Sequence, residues 1–563
     1  MILADFCTAN TTTNTNSTMK KNLLFIFIIA SYIAHAQTST YQQVYNIFQG
    51  KCTGCHNLSV NSGQLNLQAS ASTVYTKLVN FTPVNPAAAS RGDKRVSPGD
   101  PHRSFLLRKI NNNLDTDNGI SQPSEGAVMP NPPNAPLSKY EIELVQQWIL
   151  AGAPQTGVVV DTATINEYYT VGGIDQTSTL APPAPGTGFQ IHVGKVFIPK
   201  NTETEYFLKY PTKVAATEVT QLELAQPPQS HHFVIYKFFT GQDVNFSPGL
   251  RYNSGTGANG PSHGSADALC AFAPMQVTHT LPPTTAYYLE QNAVFDLNLH
   301  IVNTSPDSVL AAEIYFNMYT QPVGTAQKYM YRRNFPDLGI VIPPGDTTSF
   351  TQLAQDSSET NMWEIWILYT HTHRFGIDYD VWERNADGSQ GTQVYEGWMD
   401  WTYTFNQGYY GWGIHAPQEH FENPFLEVNP IQGLIHKATY YNYSTDTAYF
   451  GLTSQDEMMV CGFEYTYGPA IASVKNIEAQ EIGFKAYPNP FTESAWFSYM
   501  LKEKSNVKVE VYDLYGQKIE TIADEAQQSG NHTYRFTAPQ PGIYFLTINV
   551  NGKVYTQKMV KAE

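Results

Sequence analysis

The chain has 563 residues, 42% of them hydrophobic and 13% aromatic but only 15% charged, and a formal net charge of −16. That length exceeds one ordinary core and asks for about three or four domains, while the aromatic-rich, charge-poor balance suits β-sandwiches and argues against a coiled coil or a disordered chain. The excess of 49 Asp+Glu over 33 Lys+Arg repels phosphate backbones and excludes nucleic acid as an expected partner.

Residues 1–18 are polar and Asn/Thr-rich and read as a non-native start or a disordered lead. Met19-Lys20-Lys21 then opens a short positive region, Leu23–Ala30 is an apolar run too short to span a bilayer, and Ala34-His35-Ala36 before Gln37 has the small-x-small form of a cleavage site. Residues 19–36 are therefore expected to be a signal peptide rather than an anchor. No later stretch holds 18 or more consecutive apolar residues, so no integral span is expected after its removal. Export leaves Cys270 and Cys461 as either one disulfide or two buried thiols, because Cys7 goes with the leader and Cys52 and Cys55 belong to a motif.

Residues 38–155 are expected to form a small all-α domain. Cys52-Thr53-Gly54-Cys55-His56 is the C-x-x-C-H signature of covalent haem attachment. Two thiols three apart can add to the two vinyl groups, and the adjacent His56 can ligate the iron. Tyr41, Val44, Tyr45 and Phe48 give the motif a preceding helix. A second helix opens at Leu137-Ser138, carries Ile142, Val145, Trp148 and Ile149, and ends at Gly152. Between them Met129, in a Gly/Pro-rich loop, is the expected sixth ligand, with His102 as its rival. The competing readings of Cys52 and Cys55 are a zinc pair and a thioredoxin-like redox pair, but no second C-x-x-C completes a zinc site. These features resemble the small monohaem cytochrome c domains fused to secreted bacterial proteins, which implies haem c as a cofactor.

Residues 156–189 are rich in Pro, Gly and Thr and read as a linker. Short strand-like segments with frequent turn signals follow, as in Lys195–Ile198 and Thr217–Leu224, and indicate all-β structure. Its histidines are grouped. His231 and His232 precede Phe233–Tyr236, His300 ends Leu297-Asn298-Leu299-His300, and His371-Thr372-His373 follows Trp366–Tyr369. Residues i and i+2 of a strand share a face, so His371 and His373 can hold one ion. Adjacent His231 and His232 can do so only where their strand ends or bulges.

His-His, Leu-x-Leu-His, His-Thr-His and Asp456-Glu457-Met458, in that order, resemble the type II copper, ascorbate-dependent monooxygenases, the family of peptidylglycine α-hydroxylating monooxygenase and dopamine β-monooxygenase. The likeness covers about residues 190–468. It implies two tandem antiparallel, jelly-roll-like β-sandwiches, 190–325 and 326–470. It also implies two coppers far apart across a solvent cleft, an electron-transfer copper on His231, His232 and His300 and an oxygen-binding one on His371, His373 and Met458. Met459 is the near rival of Met458. Dioxygen, an organic substrate, and ascorbate or another external donor would be the partners. The sequence departs from the family at three points. Tyr369 stands where an Arg anchors the substrate carboxylate, Gly462 where a Tyr assists, and Asn298 where a Gln precedes the third His.

Residues 471–484 read as a second linker. Residues 485–563 alternate in short strands, with Val507–Tyr515 turning at Gly516, then Ile543–Ile548 and Lys553–Lys561, and are expected to form a small β-sandwich. They resemble the C-terminal sorting domain of the type IX secretion system, which implies passage through the periplasm to the cell surface or medium and contact with that machinery. The expectation for the whole chain is a secreted copper monooxygenase that hydroxylates a C–H bond, with electrons entering through the fused haem. The alternative is a non-catalytic redox or copper-binding surface protein on the same scaffold.

Overall fold

The computed structural model describes residues 38–111, 123–272, 278–398, 402, 416–422, 424–451, 453–470, 482–514 and 516–562. The leader at 19–36, residues 1–18 and most of the second linker lie outside them. The chain divides into two compact units, one holding residues up to Ser97 with His102–Asp161, the other Pro98–Pro101 with the chain from Thr162 onward. Strands dominate, in several sheets, and no helix among the described residues is long and apolar enough to cross a membrane.

The first unit is helical. Thr40–Lys51 begins at Ser39, whose hydroxyl accepts from the Gln42 amide, and Lys139–Leu150 begins with a complete capping box between Ser138 and Glu141. Tyr41, Val44 and Phe48 from the first helix and Val145, Trp148 and Ile149 from the last are buried. The Tyr41 ring centroid lies 5.4 Å from that of Trp148 and 5.0 Å from that of Tyr75.

The second unit opens inside the segment expected to be a linker. Residues 156–189 hold the helix Thr162–Val171 and the strand Gly173–Asp175, which pairs in parallel with Val309–Gln321. Their Pro/Gly-rich surroundings mask a ten-residue helical stretch whose Thr164 and Ile165 find cover only in the folded chain.

Two β-halves follow, and one eleven-stranded sheet runs through both. In the first half a five-stranded sheet, containing Thr202–Pro211, Ser230–Phe238 and Val294–Asn303, packs on the large sheet; Phe233 and Phe272 lie 5.7 and 5.5 Å from Phe316 across the interior. In the second half a four-stranded sheet packs on the large sheet around Trp363, Tyr379, Tyr440 and Phe463. The boundary at 325/326 therefore does not separate two independent sandwiches. Lys328–Pro336 pairs in parallel with Thr285–Leu289, Lys328 opposite Thr285 and Tyr329 opposite Ala286. The alternation that marks each strand does not reveal which edge it joins, so this continuity was not legible in advance.

The tail forms its own small sandwich of three- and four-stranded sheets over a core that includes Phe497, Val509, Leu546 and Met559. Cys270 and Cys461 are both free thiols, each buried in a strand, so the disulfide reading is excluded in favour of two buried thiols.

Candidate functional site

In the helical unit the first helix stops one residue before Cys52. The Cys52 amide donates to Phe48 O at 2.9 Å, and the amides of Cys55 and His56 donate to Cys52 O at 3.3 and 3.0 Å. The motif is thus wound into turns off the helix end. His56 Nδ1 lies 2.9 Å from Ser62 O. A carbonyl only accepts, so Nδ1 carries the proton and Nε2 the lone pair. Cys52, Cys55, His56 and Met129 all line one cavity of about 480 Å³, walled also by Phe48, Leu67 and Ile110. His102 is not part of that lining; its carbonyl instead accepts from Arg108. Burial, and next the Glu141 charge, push the Cys52 thiol up to about 11, the reverse of the lowered pKa a redox-active pair needs. Among the described residues, the groups of donors close enough for one metal ion include neither cysteine.

Those groups are built from histidines. Ser230–Phe238 and Val294–Asn303 pair antiparallel with His232 opposite His300, and then Ser230 opposite Ile301, so His231 is the extra residue of a β-bulge. The bulge breaks the strict alternation and lets both neighbours reach one place. The Nδ1 atoms of His231 and His300 stand 2.9 Å apart, and a nitrogen from each of His231, His232 and His300 lies within 4.8 Å of the others. The outer edges of two rings are fixed by oxygen acceptors. His300 Nε2 donates to Glu203 Oε1 at 2.6 Å, and His232 Nε2 donates to Asn298 Oδ1 at 2.8 Å. Each bond holds the proton outward and turns Nδ1 inward, as in the carboxylate–histidine pairs that orient metal ligands. Burial alone would raise the Glu203 carboxyl, but hydrogen bonds from His300 and Ser454 hold it down to about 2.

The second set sits at the end of Asn361–Thr372. His371 and His373 offer nitrogens within 4.8 Å of each other and of one from His231. His373 Nδ1 donates to Asp456 O at 3.1 Å. Its Nε2 is buried and meets no hydrogen-bond partner. Burial holds this imidazole neutral, its pKa down to about 4. A neutral ring with an inward, unpaired lone pair is what a metal site needs, so the donors fit a bound ion. The Glu457 carboxylate accepts the backbone amides of His373, Phe375 and Met458, which clamps the His373 turn to the Asp456–Met458 segment.

The register also separates the two methionines. Thr372 pairs with Met459 and His371 with Val460. Met459 is fully buried in the second core, while Met458 is half-buried. Both strands end at the Thr372–Met459 pair, so His373 and Met458 are the first residues beyond it, and the Met458 amide is held there by Glu457.

The two histidine sets meet. The His231 ring centroid lies 5.6 Å from that of His373 and 6.1 Å from that of His371. The wide separation implied by the family likeness is corrected here: the five imidazoles form one cluster. The shared large sheet brings the two halves together. Glu203 then clasps them, accepting the Ser454 amide at 2.8 Å and the Ser454 hydroxyl at 2.7 Å while it holds His300. Glu203 and Glu205 were missed in the sequence. Their i, i+2 spacing puts both on one face, but only the folded chain shows which histidine each serves: Glu203 accepts from His300, and Glu205 Oε1 lies 3.6 Å from His232 Nε2.

The departures at Tyr369 and Gly462 are one feature. Tyr369 and Gly462 are paired across adjacent strands, and a Cβ on Gly462 would come within 2.3 Å of the Tyr369 ring. That ring is held by the Arg332 guanidinium, 4.4 Å from its centroid, and by its hydroxyl donating to Asn334 Oδ1 at 2.5 Å. His192, His279 and His436 lie outside the cluster and are engaged with Glu313, Glu464 and the Tyr379 hydroxyl respectively.

Residues 485–562 match the family described as the secretion system C-terminal sorting domain. The tail is a type IX sorting domain. It marks the chain for export to the cell surface or the medium and for contact with that machinery. No curated protein matches the chain. Among solved structures it is similar to the major capsid protein P2 of bacteriophage PM2, at 10% identity and a TM-score of 0.22, over 50% of this chain and 98% of that one. It is also similar to the PBCV-1 virus capsid, at 9% identity and a TM-score of 0.19, over 53% and 99%. A third is a Faecalibacterium prausnitzii beta-glucuronidase, at 11% identity and a TM-score of 0.11, over 42% and 37%. At these scores neither fold nor activity carries over.

Proposed function

We propose that this exported protein is a copper-dependent monooxygenase that hydroxylates a C–H bond, with a c-type haem in its helical unit. The observation that carries the copper reading is the convergence of five imidazoles, above all His373, whose buried Nε2 lacks any partner while its Nδ1 is fixed by Asp456 O. His371, His373 and Met458 would hold one copper, and His231, His232 and His300 the other. Nitrogen donors suit copper in both oxidation states, and a thioether favours the reduced one. When bound, copper would supply one-electron transfer and dioxygen activation. Hydroxylation places one oxygen atom in the substrate and reduces the other to water, with two electrons and two protons from the donor.

The protein's own part is positional. Glu203, Asn298 and Asp456 fix which nitrogen of His300, His232 and His373 faces inward. The bulge at His231 supplies the extra donor. In the helical unit, Cys52, Cys55, His56 and Met129 would be the residues that hold haem, since all four line one cavity. When bound, haem would supply one-electron transfer from an external donor, in place of or beside ascorbate. A haem that stays oxidised while the protein turns over would end that part of the scheme.

The second reading is a copper-binding redox protein without oxygenase activity. It is favoured by Tyr369, which takes the place of the family's carboxylate anchor on the face shared with His371. One experiment separates the two. The purified exported chain should carry two coppers and one haem, and Met458→Ile should lower oxygen consumption with ascorbate at least tenfold. Equal rates in the two proteins select the redox reading.

A further inference from the structure

The two expected ligand sets are not independent. His231 belongs to both groups of donors that can hold an ion: with His232 and His300, and with His371 and His373. Its ring centroid is 4.6 Å from that of His300 and 5.6 Å from that of His373. It reaches this central place because it is the extra residue of the bulge, opposite neither neighbour. It is 2% exposed and His300 and His373 are each 1% exposed, so the middle of the cluster is shielded from bulk water. The clasp from Glu203 to both His300 and Ser454 holds the first set against the loop that leads into Met458.

We propose that His231 is common to both metal positions, so that the protein binds copper as one dinuclear, magnetically coupled pair rather than as two isolated ions. This rests on the copper reading above and deepens it. The two metal positions share a side chain with no room for a solvent cleft between them. An electron held at either position is then within direct reach of the other, and the pair can deliver two electrons to one acceptor without a long transfer step.

The full exported chain is loaded with copper(II) and measured for metal content and for spin count by electron paramagnetic resonance. The expected result is two coppers per chain with an integrated signal below half of two spins. Ligand variants give an independent readout. His300→Ala and His371→Ala should each lose one copper, whereas His231→Ala should weaken both sites at least tenfold. If His231→Ala fails to fold, the spin count of the unaltered chain still decides. Two coppers with a full two-spin signal, or loss of only one copper in His231→Ala, overturns the shared position and leaves the two-copper reading standing. Binding of one copper or none overturns both.

Discussion

Glu313 shows how single charged groups tie this fold to pH. Burial raises its carboxyl, but hydrogen bonds from His192 and Tyr315 and the nearby Lys195 charge outweigh that and bring it down to about 2 from an ordinary 4.5. A depressed carboxyl contributes stability that is fully present above the unfolded value and is lost as pH falls through the folded one. The window is therefore pH 4.5 down to 2, and the most this one group can contribute is about 3 kcal/mol. Glu313→Gln should flatten the fall in stability across that window, measured by urea unfolding at pH 5, 4 and 3. Equal slopes for the variant and the unaltered chain would remove Glu313 from the account. At the histidine cluster the same kind of bond does a different task. Glu203 and Asn298 choose which ring nitrogen faces inward, a choice no residue type makes by itself.

At the scale of strands, the decisive devices are a bulge and a void. The bulge at His231 converts two adjacent histidines, which would face opposite sides, into a convergent pair. The dipeptide signalled that an irregularity was required, and the register shows where it falls. The void is Gly462, whose absent side chain leaves room for the Tyr369 ring from the neighbouring strand. Arg332 and Asn334 pin that ring, so it cannot swing aside freely. Gly462→Ala should therefore cost roughly 1–3 kcal/mol, as overpacking of a filled site does. In a Tyr369→Ala background the same change should cost under about 0.5 kcal/mol, since the obstructing ring is gone and the sites couple directly. Denaturation midpoints of the four proteins of this cycle test it. An equal penalty in both backgrounds would place the cost elsewhere in the strand.

Across the whole molecule, the histidine cluster and the export signal are carried by different parts. The tail's core is assembled from its own residues, Ile482 to Met559, without help from the histidine-bearing halves. Removing residues 485–562 should abolish appearance at the surface or in the medium while leaving copper content of the retained protein unchanged. Cell fractionation followed by metal analysis reads both. Loss of copper together with export would show that the tail supports the site.

The sequence by itself determined the parts whose chemistry is local. A cysteine pair with an adjacent histidine, capped amphipathic helices around it, strand alternation in the tail and the pairing of His371 with His373 each depend on residues a few positions apart. The fixed periods of helix and strand make such neighbours predictable. It also named every histidine of the cluster. Only the tertiary structure decided how those histidines stand to one another. The parallel pairing of Thr285–Leu289 with Lys328–Pro336 makes one sheet of two halves, and the Glu203 clasp closes them. Register and edge pairing are set by side chains hundreds of residues apart that meet only when the core closes. The distance between two sites is therefore a property of packing, even where each site's residues are written plainly in the chain.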